Sequence, residues 1–206
     1  MYICFEAQFF SRTPVGRSFY GHFINMAKSR QFLISNFLSG VGAAHNLLVD
    51  AIESKTSFTE QVCLSATLID GLLRLSLVMK QQIDTRKGNV DPMLLFQGKR
   101  QKKYISEREI YKRARIAKII TKEIENKLHT LYNKRNVIVH RYLISDIKTK
   151  DVIQTSRQYI RLYLAIKERH RTIHNKLVDG NIGMAKYFIA SPTHEQIHEQ
   201  IMKKHL

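Results

Sequence analysis

Tryptophan is absent, cysteine occurs twice, proline three times and glycine nine times in 206 residues. So few chain breakers disfavour a fold of many short strands joined by tight turns and favour long helices. Cys4 and Cys63 are far apart and lack the close spacing of metal ligands. They fit free thiols in a reducing compartment better than a disulfide framework. No uninterrupted apolar run reaches the ~18 residues of a transmembrane helix. The opening Met1-Tyr2-Ile3-Cys4-Phe5-Glu6 lacks the basic start and long apolar stretch of a signal peptide. A cytoplasmic protein with no membrane partner is expected.

Negative charge is also in short supply, with 17 Asp and Glu against 34 Lys and Arg, for a net charge of +17. The excess is uneven. Residues 1–73 hold 5 basic and 5 acidic groups, residues 74–135 hold 17 and 6, and residues 136–206 hold 12 and 6. A neutral front and a basic middle predict an electrostatic footprint on part of the surface. Nucleic acid is the first candidate partner, because neutralising phosphates releases counterions and rewards clustered Lys and Arg. What remains is an ordinary globular balance, 44% hydrophobic and 25% charged.

Residues 1–20 are aromatic-rich, with a turn at Pro14 and Gly16, and are expected to form an irregular arm. Helical periodicity begins near Gly21 and runs to about Ser54, with a break expected at Gly40-Val41-Gly42. Thr59 is a candidate cap for the next helix, in which Leu64, Leu68, Leu72, Leu75 and Met79 recur at the spacing of one buried stripe. Between Asp84 and Lys103 the pattern fails, and a loop carrying Lys99, Arg100, Lys102 and Lys103 is expected. Ser106 and Glu109 have capping-box spacing, opening a helix that should continue through Ile116, Ile119, Ile120, Ile124, Leu128 and Leu131. Its polar face carries Arg113, Arg115, Lys118, Lys122 and Lys127. A further long helix spans roughly 149–177, and Ser191-Pro192-Thr193 starts a short tail helix. The expected architecture is an all-α bundle of four or five helices. Its parts are an arm and helix over 1–41, a helical domain over 42–190 and a tail over 191–206.

Chance alone predicts roughly 0.7 Arg-x4-His pairs in a chain of this composition. Three occur, at Arg17/His22, Arg135/His140 and Arg169/His174. Only the middle one extends to Arg135-Asn136-x-x-x-His140-x-Tyr142, which lowers the chance expectation to roughly 0.001. Those residue types suit RNA cleavage. RNA carries its own nucleophile, the 2′-hydroxyl, so cutting needs a base, an acid and a cation for the phosphorane charge. An imidazole titrates near neutrality and serves as base or acid, and a guanidinium supplies a permanent charge with a planar fork suited to phosphate. Cutting DNA would usually call for a metal to activate water, and no cluster of Asp and Glu suggests one. A single His cannot readily be base and acid together, which argues for two chains pairing their motifs about a two-fold axis. Positions five apart on a continuous helix lie about 140° apart, whereas Asn136 and His140 share a face. The motif is therefore expected at a helix start, with Arg135 just outside it. The bland alternative is a surface Arg and a buried His joined by a Val-Ile-Val core segment.

With this motif the chain resembles the HEPN superfamily, small helical bundles with an Arg-x4–6-His motif near the start of a late helix. The Arg-Asn-x-x-x-His-x-Tyr form looks most like the toxin of HEPN/nucleotidyltransferase toxin–antitoxin pairs. The likeness covers residues 42–178, while residues 1–41 and the basic loop at 84–105 depart from the family pattern. It implies a homodimeric, cofactor-free and metal-independent endoribonuclease with Arg135, Asn136, His140 and Tyr142 at the site. It also implies a cognate nucleotidyltransferase antitoxin for which Tyr142 is the modification target. RNA contacts are expected from Lys99, Arg100, Lys102, Lys103, Arg113, Arg115, Lys118 and Arg141. The alternative is a catalytically silent HEPN-like module that binds RNA or protein. Asp70 is a candidate buttress for Arg135.

His194-Glu195-Gln196-Ile197-His198 matches the His-Glu-x-x-His zinc-peptidase signature, for which chance predicts roughly 0.02 matches. Only His205 follows it as a further His, and no flanking element remains to form a cleft, so a solvated tail helix is expected.

Overall fold

A computed structural model describes residues 14–55, 57–95 and 104–185, with side chains from Leu33 onward. It is all-α, with no strand among the described residues. The helices are α1 (Pro14–Glu53), α2 (Phe58–Thr85), the single-turn α3 (Pro92–Leu95), α4 (Glu107–Ile116), α5 (Lys122–Arg141) and α6 (Thr149–Asp179). A 3₁₀ turn, Tyr142–Ile144, follows α5.

Helix α2 is the axis on which the others pack. Val62, Ala66, Ile69 and Leu73 are buried on one face and Leu68, Leu72, Leu75 and Met79 on another, as expected of a helix that is apolar around most of its circumference. An 18-residue window of α2 is long and apolar enough to cross a membrane by composition, although polar residues interrupt it, and 78% of it is buried inside the protein. Most of its buried polar groups find partners, although the buried Ser65 hydroxyl has none among the described residues. Gln61 donates to the Ala51 carbonyl (3.1 Å) and accepts from Ser156 (2.9 Å). Gln82 donates to the Asn89 carbonyl and accepts from the Met184 amide (3.0 Å). The pairs Gln61/Ser156, Ser76/His170 and Gln82/Met184 ascend together, so α6 runs parallel to α2. Contacts from Ala51 to Gln61 and from Val41 to Gly71 descend, so α1 runs antiparallel to it.

Four helix boundaries differ from the sequence expectation. Helix α1 starts at Pro14, a residue whose fixed φ and missing N–H suit the first turn of a helix. It then runs through Gly40 and Gly42 without a break. A Cβ on Gly71 would meet Val41 at 3.1 Å, so the two helices approach closely there, and that packing outweighs the weak helix propensity of the glycines. Ser57, not Thr59, caps α2, its hydroxyl accepting from the Glu60 amide. Pro92–Leu95 forms a helical turn inside the expected loop, burying Leu94 and Leu95.

The largest difference lies at residues 117–121. The single helix expected from Ser106 to beyond Leu131 is two antiparallel helices. Lys118 adopts φ +59, the Ile119 amide donates to the Ala114 carbonyl (2.9 Å), and the Lys118 amide donates to that of Arg115 (3.0 Å). These are the two bonds of a Schellman stop. Its usual glycine is replaced by lysine, so the stop has no sequence signature. Burial of Ile119 and Ile120 offsets the strained backbone. Thr121 then caps α5, accepting from the Ile124 amide. Ser106 caps α4 as expected, with the Glu109 amide donating to its hydroxyl (3.3 Å).

Candidate active site

The 135–142 motif lies in the last two turns of α5 and the 3₁₀ turn after it, not at a helix start. Ile138 is buried and pins this end of the helix to the core. Around it, Arg135 and His140 lie on the same continuous helix about 140° apart and point to different surroundings.

Arg135 is partly buried, its side chain 17% exposed. Its Nη1 donates to both carboxylate oxygens of Glu107 on α4 (2.8 Å each), and its Nη2 donates to Asn136 Oδ1 (3.2 Å). The guanidinium also stacks over the Tyr132 ring at 4.7 Å, and Arg108 lies over the same ring at 4.7 Å. Burial opposes the charge on Arg135, but the bonds and charge of Glu107 outweigh it and raise its pKa. Glu107 accepts a third bond, from the Tyr111 hydroxyl (3.1 Å). Burial pushes the phenol of Tyr111 well above its ordinary range, and the nearby Glu107 adds to the shift. The Tyr159 hydroxyl borders this cluster, buried and without a hydrogen-bond partner among the described residues.

Asp70 does not pair with Arg135. Its Oδ2 accepts from Arg74 Nε (2.6 Å), and Arg74 goes on to the Leu94 and Ile105 carbonyls (3.1 and 2.8 Å), tying α2 to α3 and to the start of α4. Burial raises the Asp70 pKa, with Arg74 opposing, and the charge of Arg135 reaches it only as a weaker electrostatic influence. The true carboxylate partner, Glu107, is 28 residues from Arg135 in sequence, where no local spacing points to it.

His140 faces the other way. It is exposed, as are Arg141 and Tyr142, so the buried-His alternative does not describe it. No hydrogen bond or ion pair reaches the His140 ring among the described residues. The Tyr142 hydroxyl lies 3.1 Å from Thr149 Oγ1. Asn136 is on the face of His140 while its side-chain oxygen accepts from Arg135, so it links the buried and exposed halves of the motif. Around His140 the surface is unexpectedly apolar. Leu143 is 94% exposed, Ile144 84%, and Val139 and Tyr142 about two-fifths. Such a patch beside a polar group is unusual on a surface that faces water alone.

The expected RNA contacts divide into three groups. Lys99, Arg100, Lys102 and Lys103 lie outside the described residues, as does His194-Glu195-x-x-His198 with the expected tail helix. Arg113 is paired with Glu109 (3.0 Å) and Arg115 with Glu125 (2.9 Å). Lys118 and Arg141 are exposed without a described ion-pair partner. Among the described residues no group of three or more His, Cys, Asp or Glu could hold a metal ion. No family model, characterised protein or solved structure matches the chain.

Proposed function

We propose that this protein is a metal-independent endoribonuclease that acts as a two-fold dimer and cuts RNA by attack of the 2′-hydroxyl on the adjacent phosphate. The observation that carries the reading is the exposed His140, without a partner among the described residues and set in an apron of exposed Val139, Leu143 and Ile144. Pairing two aprons buries apolar surface and brings together two imidazoles, one from each chain. One His140 takes the 2′-hydroxyl proton and the other protonates the 5′-oxygen that leaves, giving a 2′,3′-cyclic phosphate end. Arg135 and Arg141 supply positive charge for the phosphorane, with Asn136 fixing the Arg135 fork. The motif's resemblance to HEPN toxins supports the same assignment. It extends the reading to a cytoplasmic toxin whose Tyr142 is modified by a nucleotidyltransferase antitoxin.

One observation favours the catalytically silent module. Arg135 is already committed to Glu107, Asn136 and Tyr132, as a purely structural arginine would be. Activity separates the readings. Purified protein in EDTA is expected to cut single-stranded RNA and leave cyclic phosphate ends, and His140→Ala is expected to stop it. Cutting that needs added metal, or that survives His140→Ala, removes the proposal. A stable dimer that binds RNA without cutting it establishes the silent module.

A further inference from the structure

A groove of about 810 Å³ runs between α5 and α6, away from the motif's buried cluster. Four cations line it, Lys127 and Lys134 from α5 and Arg161 and Arg169 from α6, against one carboxylate, Glu123. Lys127 is paired with Glu123 (2.6 Å), and among the described residues Lys134 reaches only the neutral Gln158 (3.4 Å). Arg161 and Arg169 are exposed, with no carboxylate partner among the described residues. Arg113 and Arg115 differ, since each is neutralised by a glutamate. Arg161 and Arg169 therefore bring unneutralised charge to the groove, while on α4 Lys112 and Arg108 also have no carboxylate partner among the described residues.

The row on α5 has a direction. Lys127, Lys134 and Arg141 follow at intervals of seven. Seven residues turn a helix to within about 20° of the same face and advance it about 10.5 Å. The row ends at Arg141, next to His140. Between the cations the groove offers amide and hydroxyl groups, Asn126, Thr130 and Gln158, over an apolar floor of Ile124, Leu131 and Leu162. Packed helices have axes about 8–10 Å apart, so such a groove suits a single strand and not a duplex.

We propose that the α5–α6 groove seats the sugar–phosphate backbone of single-stranded RNA and leads it to His140. Guanidinium groups take the phosphates, and the neutral polar groups meet the sugar hydroxyls. The inference rests on the reading of His140 as the cutting residue only for the direction of the strand, and binding alone tests the rest.

The test uses the full chain carrying His140→Ala, so that cleavage does not interfere, with a fluorescein-labelled 20-nucleotide single-stranded RNA in EDTA. Anisotropy titrations across a range of salt give affinity and its salt slope. Adding Arg161→Ala and Arg169→Ala is expected to weaken binding at least tenfold. The slope of log K against log salt should become shallower by about 1.4, since each lost single-strand contact removes about 0.7. Adding Arg113→Ala and Arg115→Ala instead is expected to leave both quantities nearly unchanged. Arg161 and Arg169 are exposed and Arg113 and Arg115 partly exposed, so circular dichroism melts check that each variant folds. An unchanged affinity and slope for the Arg161/Arg169 pair, a larger loss for the Arg113/Arg115 pair, or no binding by the parent each overturns the groove. If the groove result holds while unsubstituted protein cuts nothing, the nuclease reading fails and the RNA groove stands.

Discussion

The two ends of α5 are built on different terms. At its N-terminus, Thr121 caps the helix and Glu123 and Glu125 complement the helix dipole. Glu123 is held below its ordinary pKa by Lys127, and Glu125 by Lys122 with Arg115 nearby. Each charge there has a partner, and fold stability accounts for the arrangement. At the C-terminus, Arg141 and His140 also favour the dipole, an effect of about 0.3–1 kcal/mol. Yet neither has a partner side chain among the described residues, and Leu143 and Ile144 stand almost wholly in water. The stability of a single chain does not explain exposing them. Features that the fold does not need are where function is to be sought.

The largest expected effect comes from removing what is specific to that second end. His140→Ala should lower RNA cleavage by about 10²–10⁴-fold, the usual range for losing a general acid or base. Its melting temperature should stay near that of the parent, because the ring is exposed and unpartnered. Leu143→Asp with Ile144→Asp should turn a dimer into a monomer in sedimentation analysis and take cleavage down with it. A dimer that survives this pair of charges would mean that the apron is not the interface, and the composite site would lose its basis. Arg135→Lys comes next, since it keeps the charge and loses the fork that spans Glu107 and Asn136. Cleavage should fall about 10²-fold if the guanidinium stabilises the phosphorane. Unchanged cleavage would return Arg135 to a packing role and confine the chemistry to the exposed half of the motif.

The same contrast explains what could be read from the sequence. The α2 stripe was legible, and Leu68, Leu72, Leu75 and Met79 are buried as their spacing predicts. So were the all-α class, the Ser106 cap and the long last helix, because each follows from local spacing. The motif could be found by composition and chance, but its place on α5 could not. That place depends on where the preceding helix stops, and the stop is a lysine in a glycine's position. Glu107 was hidden for a second reason. Its bond to Arg135 exists only because the stop folds α4 back along α5, so no interval along the chain points to it. The charges of α4 looked free because the pairing of Arg115 with Glu125 likewise crosses the turn.

A smaller effect is expected far from the motif, in the interface of α2 and α6. His170 is partly buried there with its Nδ1 3.0 Å from Ser76 Oγ, and desolvation, reinforced by His174, pushes its pKa down to about 4. Its folded pKa is thus below the unfolded value near 6.5. The unfolded chain binds the proton first as pH falls, so stability from this group is complete above about pH 6.5 and is lost towards pH 4. The loss should reach about 3 kcal/mol at pH 4. His170→Gln should flatten the fall in denaturant midpoint between pH 7 and pH 4. An equally steep fall in that variant would assign the acid sensitivity to carboxylates instead.

The smallest predicted effect concerns the stop that sets the whole arrangement. Lys118 holds φ +59 with no glycine to relieve it, in a turn whose hydrogen bonds already match a Schellman stop. Lys118→Gly removes the Cβ strain of the left-handed conformation, although it also frees the unfolded chain. The gain should be about 0.5–1 kcal/mol, a rise of roughly 1–4 °C in melting temperature for a chain of this size. Lys118→Val should do the opposite by a larger margin, because a β-branched residue tolerates that conformation poorly. Lys118 is also an exposed cation on the basic face, so the glycine variant answers a second question in the same protein. If RNA follows the α5–α6 groove, Lys118→Gly should leave the salt slope of RNA binding unchanged while it raises the melting temperature. A slope shallower by about 0.7, the value of one single-strand phosphate contact, would extend the RNA track across the turn onto α4.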